Sequence, residues 1–189
     1  DLVQPNMGFG THPHRNMEII SIPITGALSH KDSMGNKRAI EVGEVQVMSA
    51  GNGITHSEFN DSKTEETNFL QLWIIPEEQE VAPYYNQKMF DVLGRKNKFQ
   101  TIVSPSDKLV AGSLPIHQQG YLTLIDLDTD FTIDYHLKNG AYFFLIDGKV
   151  SVADELLEKR DAIGLENVKK VTLKAQQNSK LLIIDVPMQ

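Results

Sequence analysis

Residues 7–20 read Met-Gly-Phe-Gly-Thr-His-Pro-His-Arg-Asn-Met-Glu-Ile-Ile and place His12 and His14 two positions apart. In a β-strand, residues i and i+2 point to the same face, so the two imidazoles project together. A second pair at this spacing, His56 and Glu58, lies in Thr-His-Ser-Glu. Two hairpin-like units separate the pairs, so the pairs can face each other across a narrow β-barrel. The spacing predicts one metal site.

We therefore predict that His12, His14, His56 and Glu58 bind one divalent metal ion. A lone His-X-His pair is often only a surface or core feature, and the second pair is what favours metal binding. Three imidazoles and a carboxylate leave positions of an octahedral ion open for water, substrate or dioxygen. Iron, manganese and nickel suit such a site, and zinc accepts the same ligands. The ligands alone do not name the metal.

Further side chains near the pairs have weaker assignments. Glu18 shares the strand parity of His14, so it is a candidate either for a fifth ligand or for a residue that contacts the ligands without binding the metal. We assign it the second role. His30, beside a predicted hairpin, is expected to be structural or exposed, and His117 and His136 are expected to be structural. Six residues are candidates for an apolar pocket over the metal, although ordinary core packing explains each equally well: Met7, Phe9, Met48, Phe69, Leu70 and Trp73.

Short β-rich runs separated by Gly, Pro, Asn and Asp recur along the chain, as in an all-β barrel or sandwich. The hairpin-forming sequences are Asp-Ser-Met-Gly-Asn at 32–36 and Asp147-Gly148. The segment Glu77–Arg95 breaks the rhythm and favours a short helical stretch and a domain junction. Candidate strands are Glu18–Ile24, Ala39–Val42, Glu44–Met48, Asn68–Ile75, Gln100–Ser104, Leu122–Asp126, Thr132–His136, Ala141–Asp147, Lys149–Val152, Lys170–Lys174 and Lys180–Val186.

Composition excludes several classes of protein. The net charge is −7 and no Lys/Arg cluster exceeds two residues, so direct nucleic-acid binding is not expected. Without cysteine there are no disulfides or thiol catalysis, which fits a cytoplasmic protein. No apolar stretch reaches the length of a membrane span, so no membrane association is expected. The chain begins with Asp1 rather than methionine, and we expect that a natural N-terminal segment precedes it.

Three segments resemble the pirin family of bicupins: residues 7–20, Gly-Ala-Leu-Ser-His-Lys-Asp-Ser-Met-Gly-Asn at 26–36, and Gly-Glu-Val-Gln-Val-Met-Ser-Ala-Gly-Asn-Gly-Ile-Thr-His-Ser-Glu-Phe at 43–59. Looser matches continue to the end of the chain. The resemblance implies two tandem cupin barrels, of which the first lacks its first strands. With the junction at the end of Glu77–Arg95, we expect a metal-binding N-terminal domain over 1–95. The C-terminal domain over 96–189 has no His-X-His or His-X-Glu pair and is expected to be metal-free. The resemblance implies the same four ligands, with iron the usual metal; nickel, manganese, copper and zinc are alternatives.

The resemblance offers two functions of different classes. One is a dioxygenase that cleaves flavonols such as quercetin, in which Glu58 takes the proton of the 3-hydroxyl and the ring opens with dioxygen and loss of carbon monoxide. The other is a metal- or redox-dependent regulator that binds protein partners without catalysis. A sugar-phosphate isomerase or epimerase is disfavoured because its ligand pattern would use Glu18 rather than Glu58. We favour the dioxygenase.

Overall fold

The computed structural model describes residues 1–188 and shows a chain that is almost entirely β. Two compact units are present. The first contains Asp1–Phe90 and Leu114–Gln118, and the second contains Asp91–Ser113 and the chain from Gln119 onwards. The predicted all-β class with two tandem units is confirmed. The predicted domain limits, 1–95 and 96–189, stay a prediction; residues 114–118 return to the first unit.

Within residues 1–188, nineteen strands and two short 3₁₀ helices follow one another in chain order. The 3₁₀ helices are Val92–Arg95, which Asp91 caps by accepting from the Leu93 N–H, and Ser106–Lys108. The strands are β1 Leu2–Val3, β2 Gly8–His14, β3 Glu18–Thr25, β4 Ala27–Asp32, β5 Lys37–Glu41, β6 Glu44–Ser49, β7 Ile54–Asn60, β8 Thr67–Ile74, β9 Tyr84–Met89, β10 Gln100–Pro105, β11 Leu114–Ile116, β12 Tyr121–Leu127, β13 Thr132–His136, β14 Gly140–Asp147, β15 Lys149–Val152, β16 Glu155–Glu158, β17 Ala162–Leu165, β18 Lys170–Ala175 and β19 Ser179–Val186.

Each unit is built from two antiparallel sheets with a core between them. In the first unit the sheet orders are β1-β8-β3-β6-β9 and β2-β7-β4-β5. In the second unit β10-β12-β19-β14-β17 lie side by side, opposite a sheet ordered β13-β18-β15-β16. Apolar side chains from both sheets pack together in each unit, for example Phe69 with Leu28 in the first and Phe143 with Leu173 in the second. Burial of these faces is the main source of stability.

Strand alternation positions the site. In β7 the residues at even positions are buried and Thr55 and Phe59 are exposed, so His56 and Glu58 point into the first unit. The same period-2 pattern in β18 buries Val171, Leu173 and Ala175. Strands β7 and β18 therefore share the same alternation but bury different side chains: His56 and Glu58 in the first unit, apolar residues in the second.

Two turn predictions have opposite outcomes. The turn at 33–35 joins β4 and β5 as an antiparallel hairpin, as predicted. The hairpin predicted at Asp147-Gly148 is wrong, because β14 pairs with β17 and β19 whereas β15 pairs with β16 and β18. Gly148, with φ of 98°, lets the chain pass from one sheet to the other. In Glu77–Arg95, where only a helical stretch was expected, the chain also forms strand β9.

Within residues 1–188, no helix has the length and apolar character needed to cross a membrane.

Candidate metal centre

Three of the four predicted ligands converge on one point of the first unit. Strands β2 and β7 pair so that His12 lies opposite His56, and a register shift in β2 between Phe9 and His12 marks a bulge just before the histidines. Bulges commonly re-aim side chains next to functional sites. The ring centroids of His12, His14 and His56 are 4.5–4.9 Å apart, and the Nε2 atoms of His12 and His56 are 3.0 Å apart.

The hydrogen bond of His12 and the lowered pKa values of His14 and His56 favour binding of a cation. Nδ1 of His12 lies 2.7 Å from the Gly10 carbonyl oxygen, which requires a proton on Nδ1 and leaves the lone pair on Nε2. That lone pair faces His56. Burial, reinforced by His12 and His14, lowers the pKa of His56 to about 3, and burial followed by the proximity of His12 lowers the pKa of His14. Neutral imidazoles are the form that binds metals.

Glu58 is the fourth predicted ligand and lies deeper than the histidines. Its side chain is buried, and with His30 and His56 it forms a second group whose possible ligand atoms lie within 4.8 Å of one another. Gln71 donates to Glu58 Oε2 at 2.6 Å, and Ser21 lies 3.4 Å from Oε1. Burial raises the pKa of Glu58, opposed by the hydrogen bond from Gln71. His56 is therefore shared between the imidazole cluster and the group that contains Glu58.

The donor set fits a divalent ion. Two imidazole nitrogens at 3.0 Å, one with its lone pair directed at the other, repel unless a proton or a cation lies between them. The histidines together with a buried carboxylate form an N/O set that iron, nickel, manganese or zinc accepts. His12 and His14 are half-buried whereas His56 and Glu58 are buried, so the centre is accessible from the His12 and His14 side.

His30 is buried and fully hydrogen-bonded, which the sequence did not distinguish from an exposed position. Gln46 donates to Nδ1 at 3.2 Å, so Nε2 carries the proton and donates to Asp32 at 3.1 Å. The ring also lies 4.9 Å from that of Tyr85. Because both nitrogens are hydrogen-bonded, the geometry favours a structural role for His30 beside the predicted ligands.

Glu18 and His117 meet away from the predicted ligands. Glu18 is fully buried, accepts from Ser49 at 2.8 Å and lies 3.3 Å from His117 Nδ1. Ser21, three positions along β3, faces Glu58, so strand parity places Glu18 on the opposite face. The supporting role of Glu18 stays a prediction, since its described hydrogen bonds go to Ser49 and His117. His136 is exposed on β13.

Gln71 is a functional candidate that the sequence did not reveal, and Trp73 was predicted only as a candidate for the apolar pocket. Both follow Phe69 at two-residue steps on β8 and face the site. Trp73 is 58% exposed, its ring lies 5.2 Å from that of His14, and its indole N–H donates to Gln71 Oε1 at 3.2 Å. The available signal was a polar residue that shares one face of the strand with two aromatic residues, Phe69 and Trp73. Among the other apolar-pocket candidates, Met48 and Phe69 are buried, Leu70 is half-buried, and Met7 and Phe9 are exposed.

Both halves of the chain match known protein families, and relatives align along nearly its whole length. Residues 1–74 match the family model described as Pirin, and residues 101–186 match the model of the quercetinase C-terminal cupin domain. The chain is 34% identical over 189 residues to a protein of Escherichia coli (strain K12) named quercetin 2,3-dioxygenase, covering 99% of this chain and 80% of that protein. It is 37% identical over 188 residues to a pirin-like protein of Caulobacter vibrioides, covering 98% and 80%.

The fold of the chain is also similar to that of a solved pirin structure. The crystal structure of the bacterial pirin YhhW of Escherichia coli in complex with nickel(II) superposes with a TM-score of 0.92 at 33% identity, covering 100% of this chain and 80% of that one. The predicted tandem cupin architecture is thereby confirmed.

Proposed function

The chain belongs to the pirin family, and from that premise we propose that it is a metal-dependent dioxygenase that cleaves flavonols such as quercetin. The observation that carries the proposal is the convergence of His12, His14 and His56 beside the buried carboxylate of Glu58. A relative that aligns along nearly the whole chain has the name of this activity. A shared fold alone does not define a reaction, so the site must support it.

We propose His12, His14, His56 and Glu58 as the ligands of one divalent ion. When bound, the ion supplies Lewis acidity and a template that orients the substrate. Iron(II) is the metal that the family resemblance implies, and the related pirin from Escherichia coli binds nickel(II). Iron, nickel, manganese, copper and zinc are therefore the ions to compare.

Glu58 is the proposed base for the flavonol 3-hydroxyl. Burial raises its pKa, which makes the carboxylate a stronger proton acceptor than an exposed glutamate. Gln71 holds one of its oxygens, so the side chain stays oriented while it carries the proton. His14 and His56, whose pKa values are lowered by burial, do not compete for that proton.

The accessible side of the centre suits a flat aromatic substrate. Trp73 is largely exposed and lies against His14, so its indole ring offers a surface on which a flavonol ring can stack. A cleft of about 480 Å³ also opens beside His14, lined by residues that include Pro13 and Ile54. The deep side is closed by buried side chains, which excludes water around Glu58.

The test is to load the protein with iron(II), add quercetin in air, and follow flavonol absorbance together with carbon monoxide release. We expect both signals to change together and to require dioxygen. Parallel samples loaded with nickel, manganese, copper and zinc rank the metals. Absence of turnover with every one of these ions, in protein that carries one ion per chain, would contradict the proposal.

A further inference from the structure

A row of polar residues crosses the sheet that faces the metal centre. The register pairs Ser21 of β3 with Gln71 of β8 on one side and with Gln46 of β6 on the other. Directly opposed residues of neighbouring strands share a face, and this face is directed at the β2-β7-β4-β5 sheet. Ser21 and Gln46 are fully buried. Polar groups in such a position cost stability unless they are hydrogen-bonded.

Each member of the row contacts an ionisable side chain of the opposite sheet. Gln46 donates to His30, whereas both Gln71 and Ser21 approach Glu58. The contact from Gln71 to Oε2 is short, 2.6 Å, and that from Ser21 to Oε1 is 3.4 Å. Gln71 therefore engages one carboxylate oxygen strongly, and Oε1 is the oxygen with more freedom to bind another group.

The orientation of the Gln71 amide is determined by its other neighbour. An indole N–H is a donor and never an acceptor, so the group that accepts from Trp73 must be the amide oxygen. The amide nitrogen is then directed at Glu58. An amide turned the other way would place its oxygen against the carboxylate, which is unfavourable.

We propose that Gln71 is a positioning residue of the metal centre: it holds Oε2 of Glu58, which leaves Oε1 as the oxygen that would bind the ion, and the Trp73 N–H sets the direction of the Gln71 amide. The inference rests on the proposed function in requiring that Glu58 is a metal ligand. Partners that orient ligands typically change metal affinity about 10–100-fold when they are removed. The residue touches neither ion nor substrate in this account.

The experiment measures binding of nickel(II) by chelator competition and records the nickel d–d absorption spectrum. The variants are Gln71→Met, which removes the amide at similar size, Trp73→Phe, which keeps a ring against His14 but lacks the N–H, and their combination. Gln4→Met is the matched control, because Gln4 also donates to a carboxylate, that of Glu66, at an exposed position. Thermal unfolding of each variant without metal checks the fold.

We expect Gln71→Met to weaken nickel binding about 10–100-fold and to shift the d–d bands, Trp73→Phe to do so less, and Gln4→Met to change neither. The double variant should bind no more weakly than Gln71→Met, because the two residues act through one contact. If Gln71→Met binds nickel(II) with the wild-type affinity and spectrum, the positioning role of Gln71 is wrong, whereas the proposed function is unaffected. Additive losses in the double variant would overturn the part assigned to Trp73. A wild-type protein that binds no metal would overturn the proposed function as well.

Discussion

Strands β7 and β18 occupy the same place in the four-stranded sheets of the two units, second from one edge, and both alternate buried and exposed residues. The buried positions of β18 are Val171, Leu173 and Ala175. Those of β7 are Ile54, His56, Glu58 and Asn60. The backbone plan is the same, whereas the chemistry directed inward differs.

The two units differ in how much of their interior is apolar and how much holds ionisable groups. Among the described residues of the second unit, a large apolar cluster lies between the sheets, and β12, β14, β15, β18 and β19 all contribute to it. The first unit has smaller apolar clusters and gives part of its interior to hydrogen-bonded ionisable groups, each of which costs free energy to bury. The proposed metal site gives a physical reason for this polar interior.

The largest expected effect comes from removing two proposed ligands. His56→Ala combined with Glu58→Ala should reduce bound metal from one ion per chain to almost none, since two of four donors are lost. The matched control is Asp134→Ala with His136→Ala, a carboxylate and a histidine at the same spacing, both exposed on β13 of the second unit. Elemental analysis after dialysis measures both. Stoichiometric metal in the first variant would show that the ligand assignment is wrong.

A conservative change at Glu58 should separate binding from turnover. Glu58→Gln retains an oxygen that can bind the ion but cannot take a proton, so we expect partial metal retention and a fall in quercetin turnover of about 10²–10⁴-fold. Turnover per bound metal, from carbon monoxide release and elemental analysis, is the relevant quantity. If that quantity equals the wild-type value, Glu58 is not the base.

A change in the second unit should lower the stability of the protein and leave its metal content unchanged. Leu173 is fully buried in the apolar cluster, so Leu173→Ala should lower the free energy of unfolding by about 2–5 kcal/mol while the metal content of the folded protein stays the same. Urea unfolding followed by circular dichroism gives the first number and elemental analysis the second. If this variant loses its metal while it remains folded, metal binding is not confined to the first unit's interior as we propose.

The smallest expected effect concerns pH. Asp185 is a buried carboxyl of the second unit that accepts from the Lys138 N–H, and burial raises its pKa. A carboxyl with a raised folded-state pKa binds more protons folded than unfolded, so its contribution is present at low pH and is lost as pH rises through the folded-state value. Asp185→Asn should therefore flatten the decline of unfolding free energy with rising pH. An identical pH profile in the variant and the wild type would contradict this assignment.

Strand parity explains how much of the site was predictable. Alternation alone placed His12 with His14 and His56 with Glu58, and the β2 to β7 register joins the pairs. Parity within one strand cannot show which distant strand lies opposite, so it could not reveal that His117 meets Glu18. The same limit hid Gln71, whose contact with Glu58 depends on the packing of one sheet against another.

Turns were predictable only where local chemistry decides the path. The segment at 33–35 closes a hairpin in which the Asp32 side chain accepts from the backbone N–H groups of Met34 and Asn36. Asp147-Gly148 has similar local preferences, yet the chain there crosses between sheets because β14 and β15 pair with different partners. The choice between a hairpin and a crossing is made by long-range pairing.

The assignment of His12, His14, His56 and Glu58 as ligands can be tested by anomalous diffraction from crystals of the iron-loaded protein. We expect one strong peak per chain, within bonding distance of nitrogens of His12, His14 and His56 and of one oxygen of Glu58. A peak in the second unit, or a peak bound by His30 or His117 with His12 and His14 unengaged, would contradict the assignment.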